Sequence, residues 1–221
     1  MKTVAAIYTA YSIIEPVKVL FAELMPGQRL VNVFDDSLIP DVISAGNTIT
    51  PDVRRRLFAY CRACEDMGAD LILSTCSSMG ELVEQIQPFV KVPILRIDEA
   101  MVRQAVETGS SIGVLATVDT TLGPTNRLVR SVAEKLGKQV TIVEGLAKGA
   151  LQALSSGKPE VHDEILLKTA LSVADKVDVI LLAQGSMTRM QNAIAKATGK
   201  PVLSSLRLGV LSVKSALERL A

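Results

Sequence analysis

"DLILSTCSSM" at residues 70–79 returns as "DVILLAQGSM" at residues 178–187, an offset of 108 residues, with glutamine where the first copy has cysteine. The same offset carries "TVAAIYTAYS" (3–12) onto "SIGVLATVDT" (111–120) and "VPIL" (92–95) onto "KPVL" (200–203). Three separated matches at one spacing mark duplicated halves. A period near half of 221 residues is too long for a stacked solenoid repeat. Two similar lobes related by a pseudo-two-fold are expected instead.

Working outward, eight short apolar runs stand out: "TVAAIY" (3–8), "RLVNVF" (29–34), "DLILST" (70–75), "VPILRI" (92–97), "SIGVLA" (111–116), "QVTIVE" (139–144), "DVILLA" (178–183) and "PVLSSL" (201–206). Segments with helical spacing separate them, which is the signature of an α/β fold with parallel sheets. The helix after Thr50 has clear boundary chemistry: Thr50 as cap, Pro51 at the first helical position and Gly68 past the end. Val53, Leu57, Tyr60, Cys61, Cys64 and Met67 fall on one stripe of it, which predicts a buried face. The repeat places the lobe boundary at Ile97, giving lobes 1–97 and 98–205, with the last helix in 206–221 returning to the first lobe.

Composition excludes several classes of function. Lys plus Arg number 24 against 23 Asp plus Glu, so no overall field recruits nucleic acid or an anionic membrane. Aromatic residues are 3% and Trp is absent, which removes the stacking platforms of single-strand binders. The opening "MKTVAAIYTAYSIIEP" reads as a first buried strand rather than a signal peptide. No apolar run approaches the eighteen residues of a membrane span. Three cysteines without an export signal point to a reducing cytoplasm. The expected partner is a small molecule, not nucleic acid or membrane; oligomeric state is left open, homo-oligomers included.

Of the cysteines, Cys61 and Cys64 have C-x-x-C spacing, but the chain has one His and no second pair, so tetrahedral zinc lacks ligands and no metal site is expected. Their place on the buried stripe makes them structural. Cys76 differs because it ends a buried strand, while Ser78 and Glu81 form a capping box for the next helix. A thiol at a helix N-terminus is biased toward thiolate by unpaired N–H groups and the helix dipole. A small buried residue at a turn is the competing reading. His162, in the polar stretch "GKPEVHDEIL", reads as a solvated or capping residue. Asp35 and Asp36 in "FDDSLIP", and Asp98 and Glu99 in "IDEAM", read as caps or loop charges, with Asp36 and Glu99 kept as candidate ligand contacts.

The offset also pairs Thr9 with Thr117 and Ser12 with Thr120, so a T-x-x-[ST] turn follows the first strand of each half. Such hydroxyls form turns, and facing one another across a cleft they would also bind a carboxylate. Glu81 becomes Arg189, which puts a cation in the first turn of a helix, where the dipole disfavours it. A salt bridge or a substrate carboxylate would compensate.

"STCSSMGE", "VPILRIDEAM", "IGVLATVDTTLGPT" and "LLAQGSM" followed by "GKPVL" together resemble the aspartate/glutamate racemase superfamily, which includes hydantoin racemase, maleate isomerase and arylmalonate decarboxylase. The resemblance spans the whole chain. It implies a cofactor-free site between the lobes, where a small carboxylate is held by backbone N–H groups and Ser/Thr hydroxyls, and where racemases use two cysteines on opposite faces of one carbon. Here Cys76 matches the first cysteine, with Thr75, Ser77 and Ser78 around it, but Gln184, followed by Gly185 and Ser186, occupies the second position. Gln cannot exchange a proton at neutral pH. One working thiol still supports one-sided proton transfer or nucleophilic addition, the logic of a decarboxylase, a lyase or an isomerase. Gln184 with the Gly185 and Ser186 N–H groups could steady an enolate-like charge. A racemase or epimerase with a second acid that is not cysteine, and a small-acid binder without catalysis, are the alternatives.

Overall fold

All eight apolar runs form strands in the computed structural model, which describes residues 1–220. The first half runs β1 (Thr3–Tyr8), α1 (Ile14–Leu24), β2 (Arg29–Phe34), α2 (Leu38–Ser44), α3 (Pro51–Asp66), β3 (Leu71–Ser74), α4 (Gly80–Ile86) and β4 (Ile94–Arg96). The second continues with α5 (Glu99–Thr108), β5 (Ser111–Ala116), α6 (Asp119–Lys135), β6 (Thr141–Leu146), α7 (Ala150–Ser155), α8 (Pro159–Ala174), β7 (Val179–Leu182), α9 (Gln191–Thr198), β8 (Val202–Ser204) and α10 (Ser205–Arg219).

The strands make two four-stranded parallel sheets of matching order, β2-β1-β3-β4 and β6-β5-β7-β8. Shifting β1, β3, β4 and α3 by 108 residues gives the bounds of β5, β7, β8 and α8, and Pro51 and Pro159 open the two equivalent helices. Contacts divide the chain into two units, Met1–Asp98 with the segment from Leu206 on, and Glu99–Ser205.

Inner strands β1 and β3 are buried almost throughout, whereas edge strand β2 alternates with solvent. A parallel strand covered on both faces needs an unbroken apolar run, and an edge strand does not. Successive side chains of β1 point to opposite faces. Val4, Ala6 and Tyr8 pack with Val17 and Phe21 of α1 and with Leu206, Val210 and Val213 of α10. Ala5 and Ile7 pack with Val42 of α2, Val53 and Leu57 of α3 and Leu82 of α4. Helix α10 lies close to the chain after β4 because position 209 is glycine: a Cβ there would sit 2.6 Å from the Ile97 carbonyl oxygen.

On α3 the Thr50 cap accepts from the Val53 N–H at 3.3 Å, and Val53, Leu57, Cys61 and Cys64 are buried. Of the other two members of the expected stripe, Tyr60 packs against the same core at its edge and Met67 lies off it. Tyr60 is half-buried with its hydroxyl donating to Asp35 Oδ2 at 2.7 Å, and Met67, past the helix end, is exposed. His162 is a correction of the opposite sign, since it is fully buried rather than solvated. It begins the inward face of α8, in step with Leu166, Ala170 and Val173.

The aspartate that opens each copy of the repeated motif works at the N-terminal end of its sheet. Asp70 Oδ2 accepts the Thr3 N–H at 2.7 Å, and Asp178 Oδ2 accepts the Ser110 and Ser111 N–H groups at 2.9 and 2.8 Å. These backbone donors, the Ser111 N–H above all, hold the Asp178 carboxyl at about 2, below its ordinary 3.8. A depressed carboxyl stabilises the fold above its unfolded pKa and loses that contribution as pH falls through the folded one. The Ser111 amide proton is therefore expected to shift on acidification with a midpoint near 2 rather than 3.8, and an Asp178→Asn chain should lack the step; an NMR pH titration checks both.

Candidate active site

Both copies of the repeated motif leave their sheet at the C-terminal end of an inner strand, the edge where parallel α/β sheets place ligands. After β3 the Thr75 hydroxyl donates to the Ile7 carbonyl at 2.9 Å, tying the strand end to β1. Cys76, extended at φ −115°, then caps a 3-10 turn over Ser77–Met79 that runs into α4. The cap of α4 itself is Met79, so Ser78 lies inside the 3-10 turn and does not head the helix as the capping-box reading expects.

Cys76 is half-buried, while its neighbours Ser77 and Ser78 are buried. Burial pushes its thiol above the usual range; hydrogen bonding by Thr9 and by the Met79 and Ser78 N–H groups pulls the other way, and the Asp98 carboxylate adds to the rise. The local helix-end argument for a thiolate is thus outweighed by desolvation. The resting group is a thiol, the form that donates a proton.

The second copy has the same frame with different chemistry. Gln184, at φ −129°, caps the 3-10 turn Gly185–Met190 after β7. Its Oε1 accepts from the Thr117 backbone N–H at 2.6 Å and from the Thr117 hydroxyl at 2.9 Å. A backbone N–H can only donate, so these bonds fix which end of the amide is oxygen and leave Nε2, with its two N–H donors, as the half not engaged by Thr117. The first N–H groups of a helical turn, here those of Gly185 and Ser186, have no partner within it. Thr9 and Thr117 therefore play one role: each, just after the first strand of its half, hydrogen-bonds the residue two positions past the end of the third. Thr117 is in this sense a positioning residue, its hydroxyl hydrogen committed to Gln184.

The remaining candidates are placed unevenly. The Thr120 hydroxyl, in the first turn of α6, is buried with no hydrogen-bond partner among the described residues. Ser12 is exposed, and Gly185 and Ser186 are half-buried. Asp36 is exposed; its neighbour Asp35 does the structural work there, accepting from the Ser37 N–H at 2.9 Å and from Tyr60. Glu99 opens α5. Arg189 makes a two-pronged ion pair with Asp163 of α8, with Nη1 to Oδ2 at 2.7 Å, and Asp163 Oδ1 also lies 2.8 Å from His162 Nδ1. Arg189 sits in the last turn of the 3-10 segment Gly185–Met190, ahead of α9, and not in the first turn of a helix as the sequence suggested; its charge is compensated from within the chain.

Sequence reasoning missed the pair Arg96 and Asp98. Both are buried, with Nε to Oδ1 at 3.0 Å and Nη2 to Oδ2 at 3.1 Å. The signal was there: an Arg inside the apolar run "VPILRI" with an acid two residues on. Among the described residues no three His, Cys, Asp or Glu gather as metal ligands.

Burial also ranks the thiols. Cys61 and Cys64 are fully buried in α3, which pushes them up to about 12 and about 11. At pH 7 a small alkylating agent is expected to label Cys76 roughly tenfold or more ahead of either, because it alone has access to solvent. Peptide mapping by mass spectrometry gives the order, and labelling of Cys61 first would remove the case for Cys76.

Solved structures with this architecture include glutamate racemase RacE1 from Bacillus anthracis, 13% identical with a TM-score of 0.81 over 100% of this chain and 83% of that one. Aspartate racemase from Picrophilus torridus is 16% identical with a TM-score of 0.76, over 98% of this chain and 94% of its own. Allantoin racemase from Pseudomonas fluorescens is 20% identical with a TM-score of 0.61, over 100% and 92%. The fold is the one these racemases share, and the protein is an enzyme of the racemase and isomerase family. No curated protein matches the chain. The family model for Asp/Glu/hydantoin racemase matches residues 9–213, and the chain belongs to that family.

Proposed function

We propose that the protein is a cofactor-independent isomerase or lyase in which Cys76 transfers a proton at the carbon beside the carboxylate of a small organic or amino acid. The observation that carries this reading is the unequal pair of strand ends: a thiol held by Thr9 in one half, an amide held by Thr117 in the other. A thiol can give its proton to a carbanion and recover one from solvent, whereas an amide can only hydrogen-bond. Gln184 Nε2 and the N–H groups of Gly185 and Ser186 are the donors suited to the negative charge that develops on an enolate oxygen. Thr120, whose buried hydroxyl lacks a partner among the described residues, is suited to donate to the substrate carboxylate.

In a decarboxylation on this plan, the C–C bond to one carboxylate of a 2-substituted malonate breaks and CO2 leaves. The electron pair stays on the α-carbon as an enediolate, and the Cys76 S–H proton moves to that carbon. Isomerisation uses the same donation after a proton has been removed. The test is turnover of a panel of 2-substituted acids and malonates in heavy water, followed by proton NMR. Deuterium appearing at the α-carbon of one substrate class supports the reading; no exchange or CO2 release from any member, with Cys76 intact, overturns it.

A further inference from the structure

The turn that carries Cys76 rests on a buried ion cluster that the other half does not have. Position 80, the first residue of α4, is glycine because the Arg96 guanidinium lies against it: a Cβ there would be 2.1 Å from Arg96 Cζ. From that seat Arg96 reaches Asp98 with two hydrogen bonds, at 3.0 and 3.1 Å, and Glu84 with Nη1 at 2.7 Å. Glu84 meets solvent, but the Asp98 side chain is 1% exposed. The sheet register pairs Ser74 with Arg96, and the Ile97 N–H still donates to the Ser74 carbonyl at 3.0 Å, so Asp98 leaves the sheet beside Cys76. At the offset of 108 residues Gly80, Glu84, Arg96 and Asp98 become Thr188, Asn192, Ser204 and Leu206, all uncharged. The half with the thiol has a buried carboxylate next to it, and the half with the amide does not.

We propose that Asp98, clamped by Arg96 across Gly80, is a positioning residue that keeps Cys76 in its protonated, proton-donating form. A buried carboxylate near a thiol disfavours a second negative charge there. Burial acts most strongly on the sulfur and Asp98 adds to the rise, while Thr9, from the turn after β1, and the Met79 and Ser78 N–H groups act as hydrogen-bond donors; the Arg96 cation, against Gly80 of the same turn, is engaged by Asp98 and Glu84. Arg96 fixes the carboxylate in place with two hydrogen bonds, and solvent-facing Glu84 is its second partner. The inference rests on Cys76 being the proton-transferring group, and the readout is chosen to separate the two.

The experiment measures the rate of Cys76 alkylation against pH without substrate, in the whole chain. The wild-type half-point is expected above that of a free cysteine. Asp98→Asn keeps the size of the side chain and one acceptor for Arg96 but removes the charge, and is expected to lower the half-point and raise the rate at pH 7. Asp98→Glu should return the half-point toward wild type, and Glu84→Gln at the solvent side should leave it in place. In turnover, the alkaline limb of the kcat profile should move to lower pH in Asp98→Asn, with KM following separately.

Buried Cys61 and Cys64 report folding within the same assay, since they stay unlabelled while α3 is packed. If Asp98→Asn exposes them, the double variant Arg96→Gln with Asp98→Asn, which leaves no unpaired buried charge, takes its place. A half-point that does not move in the folded variant, or a wild-type half-point at or below that of free cysteine, overturns the proposal. A half-point that moves as expected with no turnover of any acid would leave Asp98 in its role and overturn only the functional reading.

Discussion

Cys76→Ser is expected to lower turnover by roughly a hundred- to ten-thousandfold, the range by which a positioned proton-transfer group accelerates a reaction. The serine hydroxyl is close in size to the thiol but far too weak an acid to donate at neutral pH, so the loss should fall on kcat more than on KM. The fold should survive, because Cys76 lies at the rim of the apolar cluster that α2, α3 and α4 build on the sheet, packed against it but only half-buried. Circular dichroism and the protection of Cys61 and Cys64 check that, and steady-state kinetics give the loss. Turnover within threefold of wild type would mean that another group moves the proton.

The second large effect concerns direction. With one thiol, solvent deuterium is expected on one face of the product carbon only, since Gln184, the repeat counterpart of Cys76, cannot exchange a proton. Gln184→Cys is expected to introduce exchange at both faces. The substitution loses the two hydrogen bonds from Thr117, at 2.6 and 2.9 Å, but Thr117 then stands to a thiol as Thr9 stands to Cys76. Chiral analysis of the deuterated product reads the outcome. Scrambling by the wild-type chain would require a second acid, with Asp36, Glu99 or a water as candidates, and would favour the two-base racemase alternative.

Much of the fold was legible because its cues are local. All eight strands announce themselves as apolar runs, and Thr50 and Pro51 mark the start of α3 by cap chemistry that acts over four residues. The repeat offset added what locality cannot, because a shared spacing implies a shared strand order. What stayed hidden depends on packing between elements. His162 sits among polar neighbours in sequence, and only the turn of α8 toward its core buries it. The protonation of Cys76 was read from the helix end alone, whereas desolvation and Asp98, 22 positions away, set the opposite direction. Nothing in a linear sequence names the partners of the Thr75 and Thr117 hydroxyls, which are Ile7 and Gln184.

The threonine that follows the first strand of each half has a consequence for replacement of the residue it braces. Thr9 and Thr117 both brace the side chain two positions past the third strand, and the brace works for a sulfur in one copy and for an amide in the other. The two copies differ in the residue at this position and share the threonine beside it. A single replacement at position 76 or 184 therefore lands beside a threonine hydroxyl that already serves both a sulfur and an amide. Shared support of this kind makes the chemistry the most replaceable part of the molecule.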